Sequence, residues 1–437
     1  MKQQSVPFSM VSLGCARSLV DSEKMVEALH NGGFSLVAEG SAEQITILNT
    51  CSFIQSAIDE TEANLEALIR RKQDGIIKYL VVTGCYVSRF KRPDLEAKYP
   101  QVDIWLNTLE ESKVQSELAK LVFNRKFQPA TSVRPYTKLT PSHYAYVKIS
   151  EGCNNWCSFC TIPKIRGEHT SKPIPDILTE ANLQVQFGAK ELLLIAEDTT
   201  CWGEDLYGKP SLPLLLRALG EVDVPWIRPM YIFPSRVDDE LIETLATTDN
   251  IIPYLDMPIQ HINSELLGLM NRRHDQAFLR EIIRKLYVAI PNLALRTSLI
   301  LGFPGETEAM FEELMAFIEE VHFSHIGCFS YSHEAETKSA RLPDVVAPDV
   351  AQKRIRQLME KQKQLIQVRN QARLGQVETV LFEGQNLSRS TREAPEVDGV
   401  IVLTNPGACH PGRFYDAKIT QINGYDCVAE VVGPAVL

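Results

Sequence analysis

The 437-residue chain contains no run of about 18 consecutive apolar residues, the least that a transmembrane helix needs. Its first residues, MKQQSVPFSMVS, lack the apolar stretch of a secretory signal, so a cytoplasmic location without membrane attachment is expected. Cysteine is too scarce for a disulfide scaffold: ten thiols, unevenly placed, in a chain expected to meet a reducing compartment suggest metal binding instead. The nine histidines form no H-x-x-x-H or comparable arrangement, so none is expected as a ligand. Positive charge is also in deficit. A net charge of −10 argues against binding nucleic acid through the overall field, although a local basic patch stays open.

What is present is ordinary globular composition, 44% hydrophobic and 23% charged, at a length that suits two or three domains. In the first region, 7–125, strand patterns at 8–13, 45–48 and 79–82 alternate with helical ones such as 22–30, which Gly32-Gly33 end. That alternation predicts a parallel sheet with helical crossovers. The three strand patterns run into Gly14-Cys15, Asn49-Thr50-Cys51 and Thr83-Gly84-Cys85. Parallel strands end on one edge, so the three thiols are expected to converge there. Any one alone reads as a small buried hydrophobe. Three at the same structural position read as a three-cysteine cluster site with one open iron.

Residues 126–140, with Pro129 and Pro135 and followed by Pro141, read as a linker. Six strand patterns follow, at 144–149, 191–196, 226–233, 252–259, 293–301 and 324–331, separated by helical ones such as 174–187 and 308–321. This predicts a partial barrel, smaller than the eight-fold form, with functional groups on the loops after the strands. Cys153-Asn-Asn-Trp-Cys157-Ser-Phe-Cys160 begins in such a loop. No fourth Cys or His stands at zinc spacing, His169 lying further on, and three thiolates suit a cubane whose fourth iron stays open. Phe159 either shields a cluster from water or packs in the core.

Other features occupy loop positions of the barrel. Glu197-Asp198-Thr199 follows the second strand, where carboxylates can bind an amino group. Arg296 on the fifth strand can pair with a carboxylate. Gly302-Phe-Pro-Gly-Glu306-Thr307 allows close backbone approach. Cys201, Cys328, Cys409 and Cys427 lack partners at ligand spacing and read as structural thiols. The basic helical pattern at 351–372 reads as a linker helix with a solvated face, with an RNA contact as the alternative. After Gly375, short β-patterns at 378–382, 399–403, 414–421 and 426–432 predict a small antiparallel barrel.

The C-x-x-x-C-x-x-C triplet resembles the radical S-adenosylmethionine superfamily. Joined to an N-terminal three-cysteine domain and a terminal small barrel, it resembles a methylthiotransferase over nearly the whole chain. The blocks that carry this are Ser12-Leu-Gly-Cys15, Val20-Asp-Ser-Glu23, Asn49-Thr-Cys51, Thr83-Gly-Cys85, Ile149-Ser-Glu-Gly-Cys-Asn154, Ile162-Pro-Lys-Ile-Arg-Gly167, Tyr254-Leu-Asp-Met-Pro-Ile-Gln-His261 and Gly302-Phe-Pro-Gly-Glu-Thr307. The resemblance implies an N-terminal cluster domain at 7–125, a radical core at 139–369 and a TRAM barrel at 372–437. It implies two 4Fe–4S clusters, one on Cys15, Cys51 and Cys85 and one on Cys153, Cys157 and Cys160. Two S-adenosylmethionine molecules are consumed per turnover, one methylating a sulfur and one yielding a 5′-deoxyadenosyl radical after an external donor supplies an electron. Phe159, Glu197, Asp198 and Arg296 are the candidate cofactor contacts, and no side-chain acid or base is assigned a catalytic role.

Val20-Asp-Ser-Glu23, Asp198-Thr199 and Ala394-Pro-Glu-Val-Asp-Gly399 resemble the branch that modifies an aspartate β-carbon in small-subunit ribosomal protein twelve. The sister branch acts on isopentenyladenosine in tRNA. Two departures stand out: Ala16-Arg17-Ser18 replaces the usual Pro-Lys-Asn, and Glu197 stands where Gln is common. From Ala372 onward, five basic residues face eight acidic ones, a surface suited to a basic protein and poor for phosphates. Glu393, Glu396 and Asp398 are accordingly expected to contribute to docking. A two-cluster electron-transfer protein is the reading of another class, though such proteins rarely need a six-strand core.

Overall fold

The computed structural model describes residues 5–123 and 138–435. The linker expected over 126–140 therefore lies outside the described residues up to 137. The chain divides into two compact units. Met1–Thr140 is joined by Glu151–Asn154 and Cys160–Glu168; Pro141–Ser150, Asn155–Phe159 and His169–Leu437 form the second unit.

In the first unit β1 (Val6–Ser12), β2 (Phe34–Leu36), β3 (Ile45–Thr50), β4 (Tyr79–Gly84) and β5 (Ile104–Leu106) form one parallel sheet in the order β2-β1-β3-β4-β5. The three expected strands are its centre. The outer two are three residues each, too short to show a period in the sequence. Every residue of β3 is buried, as a sheet covered on both faces requires. Helix α1 (Ala16–Asn31) lays Met25, Val26 and Leu29 on the face carrying Ile45, Ile47 and Val81. Helix α2 (Gln55–Gln73) covers the other face, where Ile58, Leu65 and Leu68 meet Leu48, Leu80 and Val82.

In the second unit β6 (Tyr144–Lys148), β7 (Glu191–Ile195) and β8 (Trp226–Pro229) form one parallel sheet, and β9 (Tyr254–Asp256), β10 (Ala294–Leu301) and β11 (His325–Ser330) another. A parallel bridge between Ile227 and Ile251 joins them, which makes one curved run of six strands, the partial barrel. Strands expected over 226–233 and 252–259 are shorter. Pro229 ends the first before Tyr231, which adopts φ 59°, and the second stops at Asp256 ahead of Pro258. Leu192, Leu194, Ile227, Leu255, Leu295 and Leu299 build the core inside the helical layer. The basic helix runs over Pro348–Asn370, and its apolar side, including Leu358 and Ile366, is buried.

The terminal strands β12 (Val377–Gly384), β13 (Leu387–Arg389), β14 (Ile401–Leu403), β15 (Arg413–Asn423) and β16 (Asp426–Pro434) close into a barrel, antiparallel except where β14 pairs with β16. Its β13–β14 connection lies against the amino-terminal ends of the six core strands. Arg228 donates to the carbonyls of Thr391 (3.1 Å) and Glu393 (3.0 Å) and to Glu191 (2.6 Å). Arg389 meets Glu191 from the other side at 2.8 Å, and all three side chains are buried. Burial alone would raise the Glu191 carboxyl, but the two guanidinium groups hold it below the usual range. Tyr254 donates to Asp398 at 2.7 Å, and Tyr144 and Tyr146 donate to the two oxygens of Glu396 at 2.8 and 2.9 Å.

This corrects the docking role expected for Glu393 and Asp398, whereas Glu396, though it accepts from two tyrosines, is exposed. Glu393 is buried and paired with Arg373 at 2.8 Å, and the Asp398 carboxylate accepts from Tyr254 and from Arg296. Glu396 and Asp398 tie the terminal barrel to core tyrosines, and reversing Glu393 or Asp398 would place a positive charge beside Arg373 or Arg296.

Glu191→Gln should destabilise the protein by about 3–5 kcal/mol, because Arg228 and Arg389 then lose their shared buried counter-charge. Denaturant unfolding would read this as a lower midpoint. A midpoint equal to the parent's would mean that the triad carries no stability.

Candidate functional site

Cys15, Cys51 and Cys85 follow β1, β3 and β4, three adjacent strands. Thr50 pairs with Gly84 across β3 and β4, so the next residues, Cys51 and Cys85, leave the sheet side by side. Ser12 pairs with Asn49, and the chain then turns through Gly14 to reach Cys15. Gly14 has φ +100°, and a Cβ there would stand 3.1 Å from Cys51 Cβ and 3.3 Å from its Sγ. A Cβ on Gly84 would collide with the Thr50 backbone, at 2.7 Å from its oxygen. Glycine before these two thiols is a packing requirement. Asn49 fastens the edge to α1 by donating to Ser18 O and Ser22 Oγ, both at 2.9 Å, and Ser22 donates to Ser12 at 2.9 Å.

The thiols differ electrostatically. Burial works to raise Cys15, but the Arg17 and Arg166 charges and the Ser18 and Arg17 backbone N–H groups at the start of α1 bring it below the ordinary thiol value. Burial raises Cys51, and it pushes Cys85 up to about 12 despite Arg166. Arg166 ends the short helix Ile162–Arg166, which belongs to this same unit. It is itself buried, bridging Asp21 (3.1 Å) and Glu151 (2.7 Å) while its charge acts on all three cysteines. Three soft sulfur donors on neighbouring strand ends, faced by a buried cation, match the donor chemistry of an iron–sulfur cluster with anionic thiolates. Among the described residues no three His, Cys, Asp or Glu side chains are gathered for a single metal ion; the thiolates of a cubane each bind a different iron.

The second triplet follows β6. Gly152, at φ +72°, precedes Cys153, and a Cβ there would fall 2.1 Å from Glu168 O, while Cys153 N–H donates to Gly167 O at 3.2 Å. In the second unit Asn155 donates to Asp198 at 2.6 Å, and Arg236 bonds both, at 2.8 Å to Asn155 and 2.9 Å to Asp198. Ser158 N–H donates to Met270 O (3.0 Å) and its hydroxyl to Leu269 O (2.7 Å). Asn271 donates to Trp156 O (2.8 Å), and Arg272 approaches Cys157 Sγ at 3.5 Å. The loop between the cysteines is thus gripped from two sides.

Of the residues singled out in the sequence, Asp198 lies just past β7, and its carboxylate is already committed to Asn155, Arg236 and the N–H of Thr200. It supports the cysteine loop. Glu197, half-buried, directly precedes it. Phe159 packs edge-on to Phe303 at 6.5 Å, in a cluster with Leu266 and Met270. Arg296 is elsewhere: it sits near the amino-terminal end of β10 and is taken up by Asp256 (3.1 Å) and Asp398 (3.3 Å), so the ligand-carboxylate role expected for it has no free guanidinium behind it. Glu306 accepts from Arg354 at 2.9 Å and from Phe303 N–H at 3.3 Å, which staples the Gly302–Thr307 turn. Sequence reasoning missed Arg166, Arg236, Asn271 and Arg272 as parts of the site. Arg166 stands in the Ile162–Gly167 motif, and the polar run Asn271-Arg-Arg-His274 after a short helix is the available signal for the last two.

The radical SAM superfamily matches residues 147–318, the TRAM domain residues 374–432, and an uncharacterized protein family, UPF0004, residues 8–107. The ribosomal protein uS12 methylthiotransferase RimO of Geobacter sulfurreducens is 38% identical, over 99% of this chain and 100% of its own. That of Syntrophus aciditrophicus is 39% identical over 99% of each. Among solved structures, the radical S-adenosylmethionine methyltransferase TsrM of Kitasatospora setae, with cobalamin and a [4Fe-4S] cluster bound, superposes with a TM-score of 0.57. It covers 77% of each chain at 12% identity, a likeness of fold.

In the metal-free chain at neutral pH, Cys15 should be alkylated well before Cys85, because the first thiol is lowered and the second raised. Arg166→Met should slow labelling of Cys15 by removing one of the charges that lower it. Peptide mass spectrometry of time-quenched samples reads both. Equal labelling rates at the two thiols would contradict the electrostatic asymmetry.

Proposed function

The chain belongs to the ribosomal protein uS12 methylthiotransferases, radical S-adenosylmethionine enzymes, and from that premise we propose that it inserts a methylthio group at the β-carbon of an aspartate in small-subunit ribosomal protein twelve. The observation that carries the two-cluster form of this reading is the meeting of Cys15, Cys51 and Cys85 on one sheet edge, faced by Arg166. They would hold one 4Fe–4S cluster, and Cys153, Cys157 and Cys160 the other. Bound there with two S-adenosylmethionine molecules and an external electron donor, the clusters would supply sulfur methylation and radical hydrogen abstraction from the substrate carbon.

The protein's own part is placement. Arg166 offsets the negative charge of the thiolates, and Asp21 and Glu151 keep that cation in register. Asn155, Asp198 and Arg236 fix the loop of the second triplet, and Glu197 and Phe159 stand beside it as candidate cofactor contacts. We assign 7–125 to the cluster domain, 139–369 to the radical core and 372–437 to the terminal barrel. No helix among the described residues is long and apolar enough to cross a membrane, and the working compartment is proposed to be the cytoplasm, where ribosomal proteins are reached.

Anaerobically reconstituted protein should contain iron and sulfide for two 4Fe–4S clusters. Replacing any of Cys153, Cys157 and Cys160 by Ala should abolish 5′-deoxyadenosine release. Replacing Cys15, Cys51 or Cys85 should stop methylthio transfer while some cleavage persists. A chain that never releases 5′-deoxyadenosine under reducing conditions would be an electron carrier.

Under identical reducing conditions, purified ribosomal protein twelve should gain the methylthio mass while isopentenyladenosine-containing tRNA does not. The reverse outcome would move the substrate to tRNA and leave the cluster ligands standing.

A further inference from the structure

Arg272 follows the short helix Ser264–Leu269, after Asn271 has turned the chain at φ 57°. Only 8% of it is exposed. The guanidinium carbon lies 3.9 Å from the centre of the Phe233 ring. One terminal nitrogen donates to Pro258 O at 2.6 Å, and the other reaches Cys157 Sγ at 3.5 Å. Its Nε–H is buried with no acceptor among the described residues. His274, whose ring stands 5.9 Å from that of Phe233, is pushed down to about 3 by burial and by the Arg272 charge, so it adds no positive charge at neutral pH.

A packing role alone would be met by the carbonyl and the aromatic face. It leaves unexplained why a buried cation points at a cysteine sulfur and keeps a further donor unspent, at a cost that an uncharged side chain would avoid. Both features fit an anionic, sulfur-rich group bound through Cys157. We propose that Arg272 is a positioning and tuning residue for the cluster held by Cys157: it donates a charge-assisted N–H···S hydrogen bond to the ligand sulfur and raises the cluster's reduction potential. The inference rests on Cys157 being a cluster ligand. The reduced cluster carries one more negative charge than the oxidised one, so a fixed cation and a hydrogen bond to its thiolate favour the reduced form. Removing them makes the cluster a poorer electron acceptor from its donor.

The test is an electron-paramagnetic-resonance redox titration of the full chain, anaerobically reconstituted, as the parent, Arg272→Met and Arg272→Lys. The cluster in question is the one whose signal changes when S-adenosylmethionine is added. Arg272→Met should move that midpoint to more negative values by about a tenfold change in the one-electron equilibrium, about 59 mV. Arg272→Lys, which keeps a cation but loses the planar fork, should move it less. The midpoint of the second cluster should stay where it is.

A Met variant with full iron and sulfide and an unmoved midpoint would overturn the proposal, as would equal shifts in both clusters. If the Met variant loses its cluster, the Lys variant decides: a shifted midpoint supports the assignment, and an unmoved one overturns it. Parent protein with no cluster dependent on Cys157 would overturn the functional reading itself, a failure that iron analysis of Cys157→Ala separates from the first.

Discussion

Strand polarity is the constraint on which the rest depends. In a parallel sheet all strands leave at the same edge, and neighbours lie about 4.8 Å apart. Thiols that are 36 and 34 residues apart in the chain thereby become neighbours in space. Reverse one strand and Cys51 would stand at the far edge, a small buried hydrophobe like Cys427. The arrangement has its own demands. Gly14 leaves room for Cys51 and Gly84 for the Thr50 backbone, and the Arg166 charge works against the burial that raises Cys85.

The same polarity gives the six-strand core two ends with different work. At the carboxyl ends, Asn155, Asp198 and Arg236 hold the cysteine loop. At the amino ends, Glu191, Arg228, Tyr254 and Arg296 receive the β13–β14 connection of the terminal barrel. Several of the terminal acids are spent inside: Glu378 and Glu393 on Arg373, Glu383 on Arg389, Asp398 on Arg296. A charge count over a segment treats these as surface. It is blind to which ions already have partners.

That blindness marks where the sequence stops being readable. The βα alternation and the cysteines at strand ends were legible because both are local patterns with a fixed spacing. The ends of β8 and β9 were less so. Apolar side chains continue past Pro229 and Asp256, and only the backbone shows Tyr231 and Gln260 leaving the extended region. Arg296 illustrates the harder limit. An arginine on a barrel strand advertises a carboxylate partner, and it has two, but from Asp256 and from a segment about a hundred residues away. Nothing in the local pattern says which end of the strand a side chain serves when the strand is eight residues long. The grip of Asn271 on Trp156 is likewise a meeting of distant loops, with no period to announce it.

The seating of the β13–β14 connection has a bearing on how such chains can be recombined. A small closed barrel at the end of a polypeptide looks like a cassette, something evolution or an engineer could exchange between relatives at a convenient linker. Here the cut would have to pass through Arg228, whose guanidinium holds Thr391 and Glu393 by their carbonyls, and through a carboxylate shared by arginines of both parts. A donor barrel brought in without the matching Arg228, Tyr254 and Arg296 would arrive with acids that have no socket. Its inheritance is tied to the floor of the core, and the two can diverge only in step.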